Sequence, residues 1–188
     1  VDAVLMCGGA GSRLEPAAAA EKPLVPVGGV PMVERVRRAL AASRVKRVHA
    51  VASTRTPRTR EWAESADCEV IDGTGEGYVA DLDRALDAVG RPALTVAADL
   101  PLLAPGTVDR AIDGANGDSL AICVPADLKR DLGASVDTSF EHDGRELAPS
   151  GLNVVGEGED RVVVRDDERL AVNVNRPGDL ELARELAE

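Results

Sequence analysis

Along this chain, blocks of apolar residues with strand-like continuity alternate with blocks of helical period. Residues 2–7 are a short apolar run that opens into a glycine-rich segment. Apolar residues at Met32, Val33, Val36, Ala39 and Leu40 follow helical spacing, with arginines on the other face. The pattern then predicts a strand over 47–52, a helix containing Trp62 over 56–66, and a strand over 68–71 closed by Asp72-Gly73. Val79, Leu82, Ala85, Leu86 and Val89 share one face of a helix predicted over 78–89. A strand over 93–98 ends at Asp99, proline opens a helix over 105–115, and 119–124 is again an apolar strand. Strands over 152–155, 161–164 and 170–174 and a helix over 177–187 complete the order. The segment 125–149 is polar, contains glycine and has weak periodicity, so it reads as an insertion or lid.

This succession predicts an α/β fold, a mostly parallel sheet with helices on both faces. The absence of repeats and of an evident boundary leads us to expect one domain over 1–188. Such sheets bind ligands at the carboxyl ends of their strands. Polar features follow strands directly at Gly8–Arg13, at 72–77, at Asp99-Leu100-Pro101 and at Asn173-Val174-Asn175. They are expected to converge on one crevice.

Composition narrows the function. At 188 residues and 44% hydrophobic the chain can bury a core, within the roughly 100–200 residues of one domain. No apolar run approaches the ~20 residues of a bilayer span, and no basic-then-apolar leader is seen, so a cytoplasmic protein is expected. The three cysteines, Cys7, Cys68 and Cys123, are widely spaced, which argues against a disulfide framework or a zinc site. With 22 basic against 33 acidic residues the net charge is −11. The mean field repels phosphate, so broad nucleic-acid binding is disfavoured. Few lysines (Lys22, Lys46 and Lys129), few aromatics and an acidic surface suggest adaptation to high salt.

The chemistry is concentrated at the strand ends. In Cys7-Gly8-Gly9-Ala10-Gly11-Ser12-Arg13 the glycines let successive backbone N–H groups turn inward as an anion nest. Arg13 adds a forked charge for phosphate oxygens, and Lys22 a point charge. The segment is neither GxGxxG nor a P-loop. A tight turn with surface charges is the alternative, and Arg13 with Lys22-Pro23-Leu24 weighs against it. Asp99, at a strand end, suits Mg²⁺, which takes one or two protein oxygens plus substrate phosphates; a turn or N-cap aspartate is the competing reading. Asn173 and Asn175 alternate onto one side of their predicted strand. Cys7 reads most simply as a small buried residue, and His49 and His142 have no partner pattern and read as structural.

The GGxGxRL segment followed by Glu21-Lys22-Pro23-Leu24 resembles the signature of nucleotidyltransferases of the nucleotide-diphospho-sugar transferase type. The 95–103 run resembles the metal-binding strand end of that superfamily. The segment Asn173-Val174-Asn175-Arg176-Pro177-Gly178-Asp179-Leu180 resembles the one carrying its second metal-proximal oxygen. The resemblance therefore implies Asp99 with Asn175 as a metal pair. Pro149-Ser150-Gly151-Leu152-Asn153-Val154-Val155 and the run 70–82 are similar to the archaeal GTP:adenosylcobinamide-phosphate guanylyltransferase family. On that likeness Gly151 gives room for a ligand, Asn153 hydrogen-bonds ribose or base, and Gly75, Gly77, Tyr78 and Asp81 wall the guanine or the acceptor. A glycine turn feeding a helix would explain the last four equally well.

The resemblance implies transfer of GMP from GTP to adenosylcobinamide phosphate in cobalamin biosynthesis, with Mg²⁺ as cofactor and a homodimer as the assembly. The acceptor is a phosphate monoester, largely dianionic near neutral pH because its second pKa is about 6. No strong general base is needed, and Arg13, Lys22 and Asp99 would align the phosphates and neutralise their charge. A molybdopterin guanylyltransferase, or a non-catalytic GTP-binding regulatory module, are the alternatives. Arg13→Ala or Lys22→Ala is expected to reduce turnover far more than folding stability. Unchanged turnover in both variants, measured beside their denaturation curves, excludes the phosphate-holding role.

Overall fold

The computed structural model describes residues 1–8, 14 and 20–187. The glycine-segment residues Gly9, Ala10, Gly11, Ser12 and Arg13 lie outside the described residues. Strand β1 (Asp2–Met6) leads to a single 3-10 turn at Lys22–Leu24 and to a small hairpin, β2 (Pro26–Val27) and β3 (Val30–Pro31). Then follow α1 (Met32–Ala41), β4 (Val48–Ala52), α2 (Pro57–Ser65), β5 (Glu69–Asp72), α3 (Tyr78–Val89), β6 (Ala93–Ala97) and α4 (Pro105–Ala115). The second half holds β7 (Ser119–Pro125), α5 (Ala126–Leu132), β8 (Phe140–His142), β9 (Arg145–Val155), β10 (Asp160–Val164), α6 (Glu168–Ala171) and α7 (Pro177–Leu186).

Local signals explain many boundaries. Proline stands in the first turn of α2, α4 and α7, where its missing N–H costs nothing. Gly133 ends α5 in the left-handed conformation that a Cβ would disfavour.

The central sheet runs in the order β10-β7-β9-β6-β1-β4-β5, with β8 added on β9. Strand β1 pairs in parallel with both β4 and β6, and β4 with β5. The chain thus winds outward from β1 on one side and returns to its other side at β6. A crevice opens at such a reversal, beyond the carboxyl ends of β1 and β6. The sheet is mostly parallel, and β9 runs against both β6 and β7. Helices cover both faces: α1, α2 and α4 on one, where Val36, Leu40, Ala63, Val108 and Ala111 join Leu5, Leu94, Val96 and Leu152. On the other, Ala85 of α3 packs against Val4, Met6 and Val51. No helix among the described residues is long and apolar enough to cross a membrane.

Two expectations fail. Residues 170–174 are not a strand: α6 covers Glu168–Ala171, and 172–175 have no regular secondary structure, with Val174 N–H donating to the Asp99 carbonyl at 2.9 Å. The apolar run misled because Leu170, Ala171, Val172 and Val174 are all fully buried, and complete burial hides the period that tells helix from strand. Nor is 125–149 a lid: it supplies α5, β8 and the first half of β9. The β7–β9 register shifts between Ala121 and Cys123, which breaks the alternation that would have revealed the long strand.

A second apolar cluster explains how distant segments meet. Val25, Val27 and Met32 pack with Leu102, Val172, Val174, Leu180 and Ala183, clamping the segment after Lys22 against the segment before Asn175. In the main core, Leu94 is completely buried. Leu94→Ala is expected to cost ~2–5 kcal/mol through lost transfer energy and the residual cavity. Urea denaturation measures it, and a cost below 1 kcal/mol would contradict the assigned packing, a bound of about half the usual minimum.

Candidate active site

At the sheet's reversal point lies a cleft of about 190 Å³, lined by Met6, Gly8, Lys22, Ser53, Arg55, Gly75, Gly77, Tyr78, Asp81 and Asp99 among others. Residues singled out in four separate segments of the sequence, at Gly8, at Lys22, over 75–81 and at Asp99, therefore share one cavity. A wider groove of about 1060 Å³ between α1, α4 and α6 contains none of them.

The centre of the cleft is Lys22. Its Nζ donates to Asp99 Oδ2 at 2.6 Å and to Asn175 Oδ1 at 2.8 Å. The neighbouring Glu21 does different work: its carboxylate accepts from the backbone N–H of Arg58 and Thr59 and from the Thr59 hydroxyl, tying this segment to the start of α2. Partial burial raises the Glu21 pKa, but those hydrogen bonds together outweigh it and hold the carboxyl below its ordinary value. The 3-10 turn that follows then directs Lys22 inward toward β6.

The other oxygen of Asp99, Oδ1, accepts from Asn173 Nδ2 at 3.3 Å, and the same amide donates to the Ser150 carbonyl at 2.8 Å. Asn173 Oδ1 receives the Lys129 ammonium at 3.1 Å. Burial pushes the Lys129 pKa down, against the opposing pull of Asp179, Asp99 and Asp137. Asn175 is held in place by the Asp179 carboxylate, which accepts from the backbone N–H of Asn175, Arg176 and Ser135.

On the opposite wall Asp81 is buried, and its Oδ1 accepts from the Thr74 backbone, the Thr74 hydroxyl and the Gly75 backbone. It shapes the 73–75 turn from beneath. A Cβ on Gly73 would come within 3.0 Å of its oxygens, which explains the glycine there. Gly75 and Gly77 have positive φ, the conformation glycine tolerates. Tyr78 is half exposed at the start of α3; desolvation of its hydroxyl and then the Asp99 charge raise its pKa.

Gly151 has φ +85°, and a Cβ there would stand 3.2 Å from Ala97 Cβ and 3.3 Å from Asn173 Nδ2. Its small size therefore protects the Asn173–Asp99 contact. Asn153 sits deeper in β9, opposite Thr95 and Ala121, and the structure does not bring it into the cleft lining. Cys7 is fully buried in the main core, where desolvation first and then Cys68 push its thiol pKa up, and it is not part of the cleft lining. His49 lies between Asp2 and Glu69, across the β1, β4 and β5 strands.

Sequence reasoning passed over Ser53, Arg55 and Lys129. The first two follow β4 directly, and the strand-end rule that marked the other features could have found them. Lys129 carried no signal, since its segment lacked a period. Among the described residues no group of three His, Cys, Asp or Glu gathers as a metal site.

A family model for the MobA-like NTP transferase domain matches residues 3–171. The chain belongs to that family. It is a nucleotidyltransferase. It is 30% identical, over 99% of its length and 97% of the relative's, to the adenosylcobinamide-phosphate guanylyltransferase of Methanocaldococcus jannaschii. A hypothetical transferase from Thermus thermophilus has the same fold, with TM-score 0.75 and 19% identity over 95% of this chain and 98% of the other. A nucleotidyl transferase from Methanothermobacter thermautotrophicus aligns at TM-score 0.70 and 19% identity over 98% and 96%. In this nucleotidyltransferase, Gly151→Ala is expected to strain the backbone by roughly 1–2 kcal/mol and to displace Asn173. Turnover should then fall by more than the stability loss explains; a variant with full kcat contradicts the close packing described.

Proposed function

We propose that the enzyme transfers GMP from GTP to the phosphate of adenosylcobinamide phosphate, releasing pyrophosphate and forming adenosylcobinamide-GDP in cobalamin biosynthesis. The observation that carries the reading is Lys22 held between Asp99 and Asn175 at the crevice of the sheet. In a protein of net charge −11, whose mean field repels phosphate, this cation supplies local positive potential. The whole-length similarity to a guanylyltransferase supports the choice of nucleotide and acceptor.

The ammonium of Lys22 has three N–H donors, and two are directed at Asp99 and Asn175. The third is available to a phosphate oxygen of the triphosphate. Arg13 and the amides of the glycine segment, including Gly8 at the cleft's edge, contribute the remaining positive potential. The acceptor phosphate attacks the α-phosphorus, the bond to the bridging oxygen breaks, and pyrophosphate carries the charge away. Because the nucleophile is already anionic, these residues align and neutralise rather than abstract a proton.

The oxygens of Asp99 and Asn175 also fit Mg²⁺, which accepts one or two protein oxygens and completes its shell with phosphates and water. Bound there, Mg²⁺ would supply further neutralisation of the triphosphate. An amide in place of a second carboxylate lowers the site's charge, which fits a metal that arrives with its nucleotide. Tyr78, beside Asp99, and the glycines at 75 and 77 give the cleft a wall against which a base can lie.

The deciding experiment is a matrix of GTP, ATP and CTP against adenosylcobinamide phosphate and molybdopterin, with Mg²⁺, read as pyrophosphate release at low and high salt. GTP with adenosylcobinamide phosphate is expected to exceed every other pair by at least ~100-fold, the discrimination that pocket shape alone can supply. Release with molybdopterin alone, or tight GTP binding with no release for any acceptor, overturns the reading.

A further inference from the structure

Lys129 is an unusual residue for a protein with three lysines. It lies on α5, is only 4% exposed, and is absent from the cleft lining. Burying an ammonium costs several kcal/mol unless its hydrogen bonds are satisfied. Its two partners are the Ala171 carbonyl at 2.7 Å and Asn173 Oδ1 at 3.1 Å. The first contact has a structural explanation: Ala171 is the last residue of α6, and a cation satisfies a helix's terminal carbonyl.

The second contact has a different consequence. An asparagine amide can present either end to a neighbour, and only its partners decide which. Asn173 is flanked by an obligate donor, the Lys129 ammonium, and by an obligate acceptor, the Ser150 carbonyl. One orientation alone satisfies both, and it turns an N–H toward Asp99 Oδ1. The reversed amide would set a carbonyl oxygen against the carboxylate.

We infer that Lys129 is a positioning residue for nucleotidyl transfer: by fixing the amide of Asn173 it holds Asp99 in the orientation that faces Lys22. The chain of contacts runs from α5 through Asn173 to Asp99 Oδ1, and from Asp99 Oδ2 to Lys22. Each carboxylate oxygen thereby has its own donor. Loss of Lys129 leaves Asn173 Oδ1 buried without its donor and releases the amide to turn, and Asp99 with it.

The test is a double-mutant cycle of Lys129→Met and Asn173→Ala, measured as pyrophosphate release with GTP and adenosylcobinamide phosphate; only this assay rests on the function proposed above. Each single variant is expected to lose roughly 10–100-fold in kcat, the usual cost of disturbing a group that orients a site residue. KM for GTP should stay within about threefold, and the double variant should be no worse than the poorer single one, as for residues acting through one contact. Losses that multiply, or an unchanged kcat in Lys129→Met, overturn the inference. Should Lys129→Met fail to fold, Lys129→Gln keeps an N–H donor and is expected to retain more activity than Asn173→Ala; the reverse order overturns the inference.

A crystal structure of the ligand-free Lys129→Met protein (or of Lys129→Gln, if only that folds) decides the point without any substrate. The expected result in Lys129→Met is an Asn173 amide turned from Asp99, and in Lys129→Gln an amide kept in place. An unmoved Asn173–Asp99 pair in Lys129→Met, or a displaced one in Lys129→Gln, overturns it. A wild-type enzyme inactive with this acceptor would sink the substrate assignment and leave the crystallographic result to judge Lys129.

Discussion

A lysine ammonium shared by a carboxylate 77 positions away and an amide 153 positions away is the contact on which the arrangement of this enzyme turns. Local preferences cannot create it, and drawing such distant segments together costs loop-closure entropy that must be met elsewhere. The apolar cluster of Val25, Val27, Met32, Leu102, Val172, Val174 and Leu180 meets it. That cluster fastens the segment after Lys22, the loop after Asp99 and the segment before Asn175 to one another. The polar contact can then form with little further ordering, and the site is the polar edge of a hydrophobic joint.

Electrostatics explain why the joint needs so many polar supports. An exposed ion pair is worth little, and a buried one can cost more in desolvation than it returns. Lys22 and Asp99 are mostly shielded, with side chains 13% and 19% exposed. Their cost is spread over amides and carbonyls that have no net charge: Asn173, Asn175 and the carbonyl of Ser150. Among the described residues no buried side-chain nitrogen or oxygen lacks a partner. Other acidic residues are paired outside the site, in the exposed Arg130–Glu146 pair and the part-buried Arg37–Glu34 pair.

The two halves of the sheet serve different ends. Parallel strands β1, β4, β5 and β6 create the reversal and hence the crevice. The antiparallel β9 then brings Ser150 and Gly151 back beside the end of β6, where a tighter backbone leaves Asn173 room to reach Asp99. Beneath it, α5 contributes Lys129. The cleft wall at Gly8 and the amide network of Asn173 and Asn175 are thus products of separate stretches of chain brought together around Lys22 and Asp99.

The sequence by itself determined the elements with a clear period and the residue types at their ends. The helices at Met32, Tyr78 and Pro105, the strands leading to Gly8 and Asp99, and the choice of Lys22, Asp99 and Asn175 as candidates, which the fold brings together, were legible because period, proline placement and motif are local properties. Tertiary structure decided the rest. Whether 170–174 was strand or helix depended on what surrounded it, since a fully buried stretch shows no period. The long β9 was hidden by a register shift, and with it the role of 125–149. Asp81 lines the cleft and also holds the 73–75 turn through its hydrogen bonds, and Asn153 lies outside the cleft lining. Lys129 had no motif or period to mark it: a buried charge acquires meaning only from its partners, and chain folding alone selects those.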